Sequence, residues 1–246
     1  MALEFLRFVY IYIILFGIFL FFLSLAYRVL RRGRKQKLNQ ILANFYIFNS
    51  IAILVNMIYA QISDPQWEPL VVFLNKVSIY LVSLSLFFLL FFILNIKYPT
   101  IRWIIMRKYR ILLLLAYAGY LGILFFIPDG VTLEILSDGT QTFPVWGLSF
   151  SIFLFLTHLA LMIPILYLTA LTFQRFKNVI LRKRLRNFFI GLCVFFYFIL
   201  MLPISNHLNV LFIRRIYTFS SIFLILGGYL IYYGIGTPLT NPVHCQ

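Results

Sequence analysis

The chain has 246 residues, 63% hydrophobic and 11% charged, with a formal net charge of +15. Seven apolar runs and their short connections use nearly all of that length, which excludes an ordinary soluble fold and leaves no room for a second folded domain. The positive charge sits in three short loops beside apolar runs, where lipid headgroups are its natural counterpart, so no nucleic-acid partner is expected.

In chain order, the sequence predicts membrane-spanning helices over residues 8–30, 40–62, 71–95, 110–127, 147–173, 187–205 and 216–236. Each run is about 20 residues or longer, enough at ~1.5 Å per residue to cross a hydrocarbon core of ~30 Å. The first run is read as a retained helix and not a signal peptide. Its leader MALEFLRF carries an acid and only one base, and the run is followed by Arg28, Arg31, Arg32, Arg34, Lys35 and Lys37, not by a small-residue cleavage site.

The second basic connection carries Lys97, Arg102, Arg107, Lys108 and Arg110, and the third Arg175, Lys177, Arg182, Lys183, Arg184 and Arg186. The alternate connections hold all six acids: Glu4, Asp64, Glu68, Asp129, Glu134 and Asp138. Short loops rich in Lys and Arg resist translocation, so this bias predicts an amino terminus outside and a carboxyl terminus in the cytosol. The expected class is an all-α integral membrane protein, a seven-helix bundle in the cell membrane. On its acidic side, SDPQWEPL reads as a Pro-bounded turn. The segment 128–147, with two Asp-Gly turn signals around the alternating VTLEIL, predicts a small hairpin lid. SNHLNVLFIRR makes the third connection there and brings Arg214 and Arg215.

No Asp, Glu, Lys or Arg lies inside a span beyond snorkelling reach of an interface, which argues against an ion-coupled transporter or pump and against a buried catalytic acid. The last span has no Lys for a retinal Schiff base, and only His158 lies within a span, so haem ligation by facing His residues is not expected either. Cys193 and Cys245 have no metal or disulfide spacing. Ser149 in GLSF lacks the second Gly and the base of a serine-nucleophile turn, so that stretch is read as a helix start beside an interfacial anchor, Trp146. No catalytic residue, metal or cofactor is expected, and the chain is not read as an enzyme.

The remaining polar residues fall into two groups. Asn49 and Asn56 are seven apart on one helix face and are expected in the polar bundle core, with Ser78, Ser83, Ser85, Ser220 and Ser221 as available partners. Lys76, His158, His207, Arg214 and Arg215 are the candidate ligand-binding set, walling an outward-opening pocket between the third, fifth, sixth and seventh helices under the 128–147 loop. Their charge favours an anionic or amphipathic small molecule.

The segments VVFLNKVSIYLVSLSLFFLLFFILNIKYP, FPVWGLSF, QRFKNVILRKRLRNFFIGL and ILGGYLIYYGIGTPL are similar to the seven-helix amino-terminal sensor region of membrane histidine kinases. The similarity runs over nearly the whole chain and lies in hydropathy, loop lengths and scattered residues. It implies an N-out seven-helix bundle whose last helix passes a signal inward; in that family kinase or cyclase domains follow, whereas this sequence ends ten residues beyond the last span. The expected function is therefore a receptor-like sensor acting through a partner protein or a homodimer. The alternatives are a permease or lipid-handling protein and a structural subunit of a membrane complex.

Overall fold

A computed structural model describes residues 8–62, 64–101, 106–135, 142–175 and 178–236. Glu4, Asp138 and the tail with His244 and Cys245 lie outside the described residues. The elements in order are α1 (Val9–Arg32), α2 (Lys37–Gln61), α3 (Glu68–Lys97), α4 (Arg107–Leu121), β1 (Val131–Ile135), β2 (Thr142–Trp146), α5 (Leu148–Arg175), α6 (Val179–Leu208), α7 (Leu211–Ser220) and α8 (Phe223–Gly236). The first seven residues of α1, Val9–Leu15, are wound as a π-helix, and α4 continues into a 3₁₀ turn, Gly122–Phe125. Seven stretches are long and apolar enough to cross a membrane; α7 and α8 share the seventh, Leu211–Ile235.

Helix ends depart from the sequence boundaries where capping chemistry outweighs hydropathy. The sixth helix starts at Val179, well before the expected residue 187, so Arg182, Lys183, Arg184 and Arg186 ride on its first turns and are not loop residues. Asn178 is the cause: its side-chain oxygen accepts from the backbone N–H groups of Ile180 at 2.9 Å and Leu181 at 3.3 Å. At the other end Asn209 takes a left-handed conformation, φ 52°, and only Asn209 and Val210 separate α6 from α7. Arg214 and Arg215 consequently lie on a helix.

Six spans close a ring: α1 against α2, α2 against α3, α3 against α5, α5 against α6, and α6 against α8, which returns to α1. α4 lies outside the ring against α3 and is largely exposed. One large core fills the basic end of the bundle, where Phe22, Phe45 and Phe195 meet with ring centroids 5.1–6.4 Å apart. Such aromatic pairs add ~0.5–1.5 kcal/mol each beyond the area they cover. A smaller core at the opposite end is built on Trp146, Phe150, Leu121, Leu124 and Val131.

The hairpin forms as expected. β1 and β2 pair antiparallel, with Val131 opposite Trp146 and Leu133 opposite Pro144. Trp146 is not the interfacial anchor that the sequence suggests: it is 2% exposed and packs edge-on against Phe150 at 5.3 Å. Its strand partner Val131 is buried with it, so this face of the ribbon turns toward the helices and carries the indole inward. Gly147 makes the close turn into α5 possible, because a Cβ there would stand 2.6 Å from the carbonyl oxygen of Asp129.

A candidate ligand cavity

Between the two cores lies a cavity of about 610 Å³. That volume falls within the ~300–1,000 Å³ of small-molecule sites. Its walls come from α1, α2, α3, α6 and α7, with Ser221 at the helix break and Leu224 of α8 beside them and Glu134, Pro144 and Trp146 of the hairpin at one end. Helix five, expected as a wall, contributes none of the lining among the described residues; α1 and α2 take that place. The reason is packing: α5 is drawn against α3 and α6, and its His158 meets Ser83 of α3.

Helical periodicity selects the lining. Along α3, Val71, Asn75, Ser78, Ile79 and Val82 recur at helical spacing on one face, and along α2 Asn49, Ala52, Ile53, Asn56 and Tyr59 do the same. These two helices supply amides and hydroxyls interleaved with apolar side chains. α1 adds Leu15, Ile18 and Phe22 beside Tyr10, and α6 adds Phe195, Phe198 and Ile199 with Ser205 and Asn206 toward its end. The lining therefore mixes polar and apolar groups. At its rim stand Glu134 and Arg215, both exposed, with Arg214 half-buried beside them.

Asn49 and Asn56 share the cavity wall, which is the common face that their spacing predicts. The Asn49 amide donates to the Phe45 carbonyl of its own helix at 2.7 Å. The serines proposed as its partners are engaged elsewhere. Ser78 donates to the Ala52 carbonyl at 2.9 Å, Ser83 meets His158, and Ser85, Ser220 and Ser221 bond back to their own helices.

The five candidate ligand residues divide. Arg214 and Arg215 line the cavity. Arg214 also donates to the carbonyls of Pro144 at 2.9 Å and Asn206 at 3.4 Å, tying the hairpin to the end of α6. Lys76 points to the other side of α3, where its ammonium donates to the carbonyls of Phe125 and Ile127, each at 3.5 Å, below the end of α4. His207 donates from Nδ1 to the Trp146 carbonyl at 3.0 Å and so holds the hairpin down. His158 is fully buried between α5 and α3, with Nε2 2.9 Å from the Ser83 hydroxyl. Lys76, His158 and His207 are not among the residues lining the cavity.

Sequence reasoning passed over Asn75. It is 2% exposed, its Nδ2 donates to the Tyr59 hydroxyl at 2.9 Å, and its Oδ1 has no hydrogen-bond partner among the described residues. The signal was present: Asn75 precedes Ser78 by three residues, which puts the two on one helix face, as a spacing of seven does for Asn49 and Asn56.

The seventh span has two halves of different character. α7 has no buried residue and borders the cavity with Tyr217 and Thr218. α8 is locked in place: Tyr46 donates to the Gly228 carbonyl at 3.0 Å, and Arg32 reaches the Tyr232 hydroxyl with its guanidinium 4.6 Å from that ring's centroid. Between them, Ser221 and Ile222 carry tight turns, with Leu224 N–H on the Ser221 carbonyl at 2.9 Å and Ile225 N–H on the Ile222 carbonyl at 3.1 Å.

The class defined by this fold is a seven-helix bundle of membrane-spanning length with an amphipathic cavity at its hairpin end. No protein-family model matches the chain, and no curated protein matches its sequence. Among the described residues, no group of three His, Cys, Asp or Glu side chains could hold a metal ion.

Proposed function

We propose that the chain is a receptor-like sensor in the cell membrane, with its amino terminus and hairpin outside and its carboxyl terminus in the cytosol. The observation that carries this reading is the cavity, bordered by the unburied α7 and set above a helix break. A small anionic or amphipathic molecule bound there contacts α7 directly, while α8 transmits any change of tilt to the basic end through its packing on α6 and α1. Signalling needs unequal affinity for two arrangements of α7, because a ligand binding both equally shifts nothing. The resemblance of several segments to histidine-kinase sensor regions supports the same reading, with a partner protein or a second copy of the chain receiving the signal. Neither catalysis nor a cofactor enters it.

The test places spin labels on Cys introduced at Ile58 of α2 and Ile216 of α7, both exposed, after replacement of Cys193 and Cys245 by Ser. Small acids and amphiphiles that stabilise the protein in a thermal-shift screen are expected to change the distance between the labels. Ligands that bind saturably in the cavity and leave that distance unchanged would refute a sensor and favour a permease or a scaffold.

A further inference from the structure

The proposed sensor reading leaves open how a ligand reaches the cavity, and the exposure of the lining points to the route. Of the described residues that line the cavity, only Glu134, Leu211, Arg215 and Phe219 are exposed; those on α1, α2, α3 and α6 are buried or half-buried although they border the same space. Exposure at these four therefore marks where the cavity meets the outside. Leu211, Arg215 and Phe219 follow one another at every fourth position of α7, which makes a single stripe along the helix. Its length from Leu211 to Phe219 is about 12 Å at ~1.5 Å per residue, close to the ~15 Å of hydrocarbon in one leaflet. An opening of that shape is a slot down the side of the bundle, not a mouth at its end.

The neighbours of α7 place the slot. Tyr217 donates to the Phe198 carbonyl at 3.3 Å and Arg214 to that of Asn206 at 3.4 Å, so α7 is tied to α6 by a face other than the stripe. Its other main neighbour is the π-helical start of α1, whose Tyr10 and Ile11 line the cavity. The slot lies between these two. The hairpin end, by contrast, is strapped shut: His207 holds the Trp146 carbonyl at 3.0 Å, Arg214 holds that of Pro144 at 2.9 Å, and the Asn209 amide reaches Glu134.

Resting on the sensor reading and its placement in the membrane, we infer that the ligand enters sideways through the slot between α7 and α1, and is a single-chain amphiphile dissolved in the outer leaflet, not a solute taken from water. A chain lying in a leaflet runs parallel to such a slot and passes between the helices broadside. The cavity of about 610 Å³ holds a molecule of drug size, and its mixed lining receives both the chain and the polar head.

The test follows exchange in phosphatidylcholine nanodiscs. Trp67 and Trp103 are changed to Phe, so that Trp146 in the cavity wall transfers energy to a dansylated undecanoic acid or a dansylated lysophospholipid. The signal removed by excess unlabelled amphiphile is the bound fraction. With Cys193 and Cys245 replaced by Ser, a single Cys at Phe219 carries a bulky maleimide, and one at Ile216, exposed on the same helix and outside the lining, is the control. The Phe219 adduct is expected to slow association and release about tenfold or more against the same protein before modification, with affinity held within about twofold, because an obstructed passage raises one barrier for both directions. The Ile216 adduct changes neither rate. Asn209→Gly removes the tether to Glu134 while suiting the left-handed backbone there, φ 52°, and leaves both rates as they are.

Unaltered rates with the Phe219 adduct would overturn the entrance, and with faster exchange in Asn209→Gly they would move it under the hairpin. So would equal slowing by the Ile216 adduct, release that speeds up in place of slowing, or the absence of saturable binding by either probe. The spin-label distance between Ile58 and Ile216 keeps the two proposals apart. A ligand that moves those labels yet exchanges past the Phe219 adduct unhindered would sink the entrance alone. Exchange slowed by the adduct, with the labels unmoved on binding, would sink the sensor alone.

Discussion

Replacing Gly191 with Ala tests whether the sixth and seventh spans are in backbone contact. A Cβ at this position would lie 2.8 Å from the Gly227 carbonyl oxygen, 2.8 Å from the Ile231 nitrogen and 2.9 Å from the Leu230 Cβ. Ordinary contact begins at 3.4 Å, so the helices must part by about 0.6 Å, and two of the three obstacles are backbone that cannot rotate away. A gap of ~0.5–1 Å forfeits a quarter to a half of each dispersion contact it opens. Overpacking of this kind costs ~1–3 kcal/mol. Gly191→Ala is therefore expected to lose about 2 kcal/mol, a roughly thirtyfold fall in the folded-to-unfolded ratio. Gly234→Ala meets Phe188 N at 2.7 Å and Arg184 O at 2.8 Å along the same seam. The double variant should cost less than the sum of the two, because one separation relieves both clashes. Gly17→Ala is the control: nothing stands within 4 Å of its Cβ, and helix propensity favours Ala by up to ~1 kcal/mol. Reversible unfolding in mixed micelles of increasing denaturing-detergent fraction gives all four stabilities. A Gly191→Ala protein as stable as Gly17→Ala would refute the contact.

Tyr46→Phe removes a buried hydroxyl bonded to the Gly228 carbonyl and is expected to lose ~0.5–1.5 kcal/mol in the same unfolding assay. Trp146→Ala opens a void between the hairpin and α5 and should cost ~3–5 kcal/mol, with faster proteolysis within 131–146 as a second readout. For the proposed topology, a reporter fused after Gln246 should be active only in the cytosol, and a Cys introduced at Gln36 should label only after permeabilisation; labelling in intact cells would reverse the orientation. Purified protein should be colourless, since the last span lacks Lys and His158 has no facing His; a hydroxylamine-sensitive visible band or a Soret band would contradict this.

Much of the architecture was legible because hydropathy and charge act over whole segments. Each expected span overlaps a helix that is long and apolar enough to cross a membrane, and VTLEI of the alternating segment forms the first strand of the hairpin. What depends on a single hydrogen bond was not legible: the Asn178 cap extends the sixth helix two turns beyond its hydrophobic limit. The break at Ser221 and Ile222 left no mark in an otherwise apolar run. For the cavity, Asn49, Asn56, Arg214 and Arg215 were within reach because spacing and proximity to a loop are local properties. Lys76, His158 and His207 went elsewhere because side-chain direction depends on which neighbour a helix packs against. The fifth helix was expected as a wall and α1 was not, since sequence order says little about ring order.

The two-residue connection at Asn209 and Val210 also has a consequence for biogenesis. A link that short forbids the sixth and seventh spans from integrating one at a time, so on the proposed topology they must leave the translocation machinery together as a helical hairpin. Arg214 and Arg215 travel across in that hairpin, against the usual reluctance of basic residues to be translocated. The carbonyls of Pro144 and Asn206 that receive Arg214 belong to segments already synthesised when it arrives. On that topology Arg214 meets both carbonyls only once the β-hairpin and the end of α6 are in place beside it.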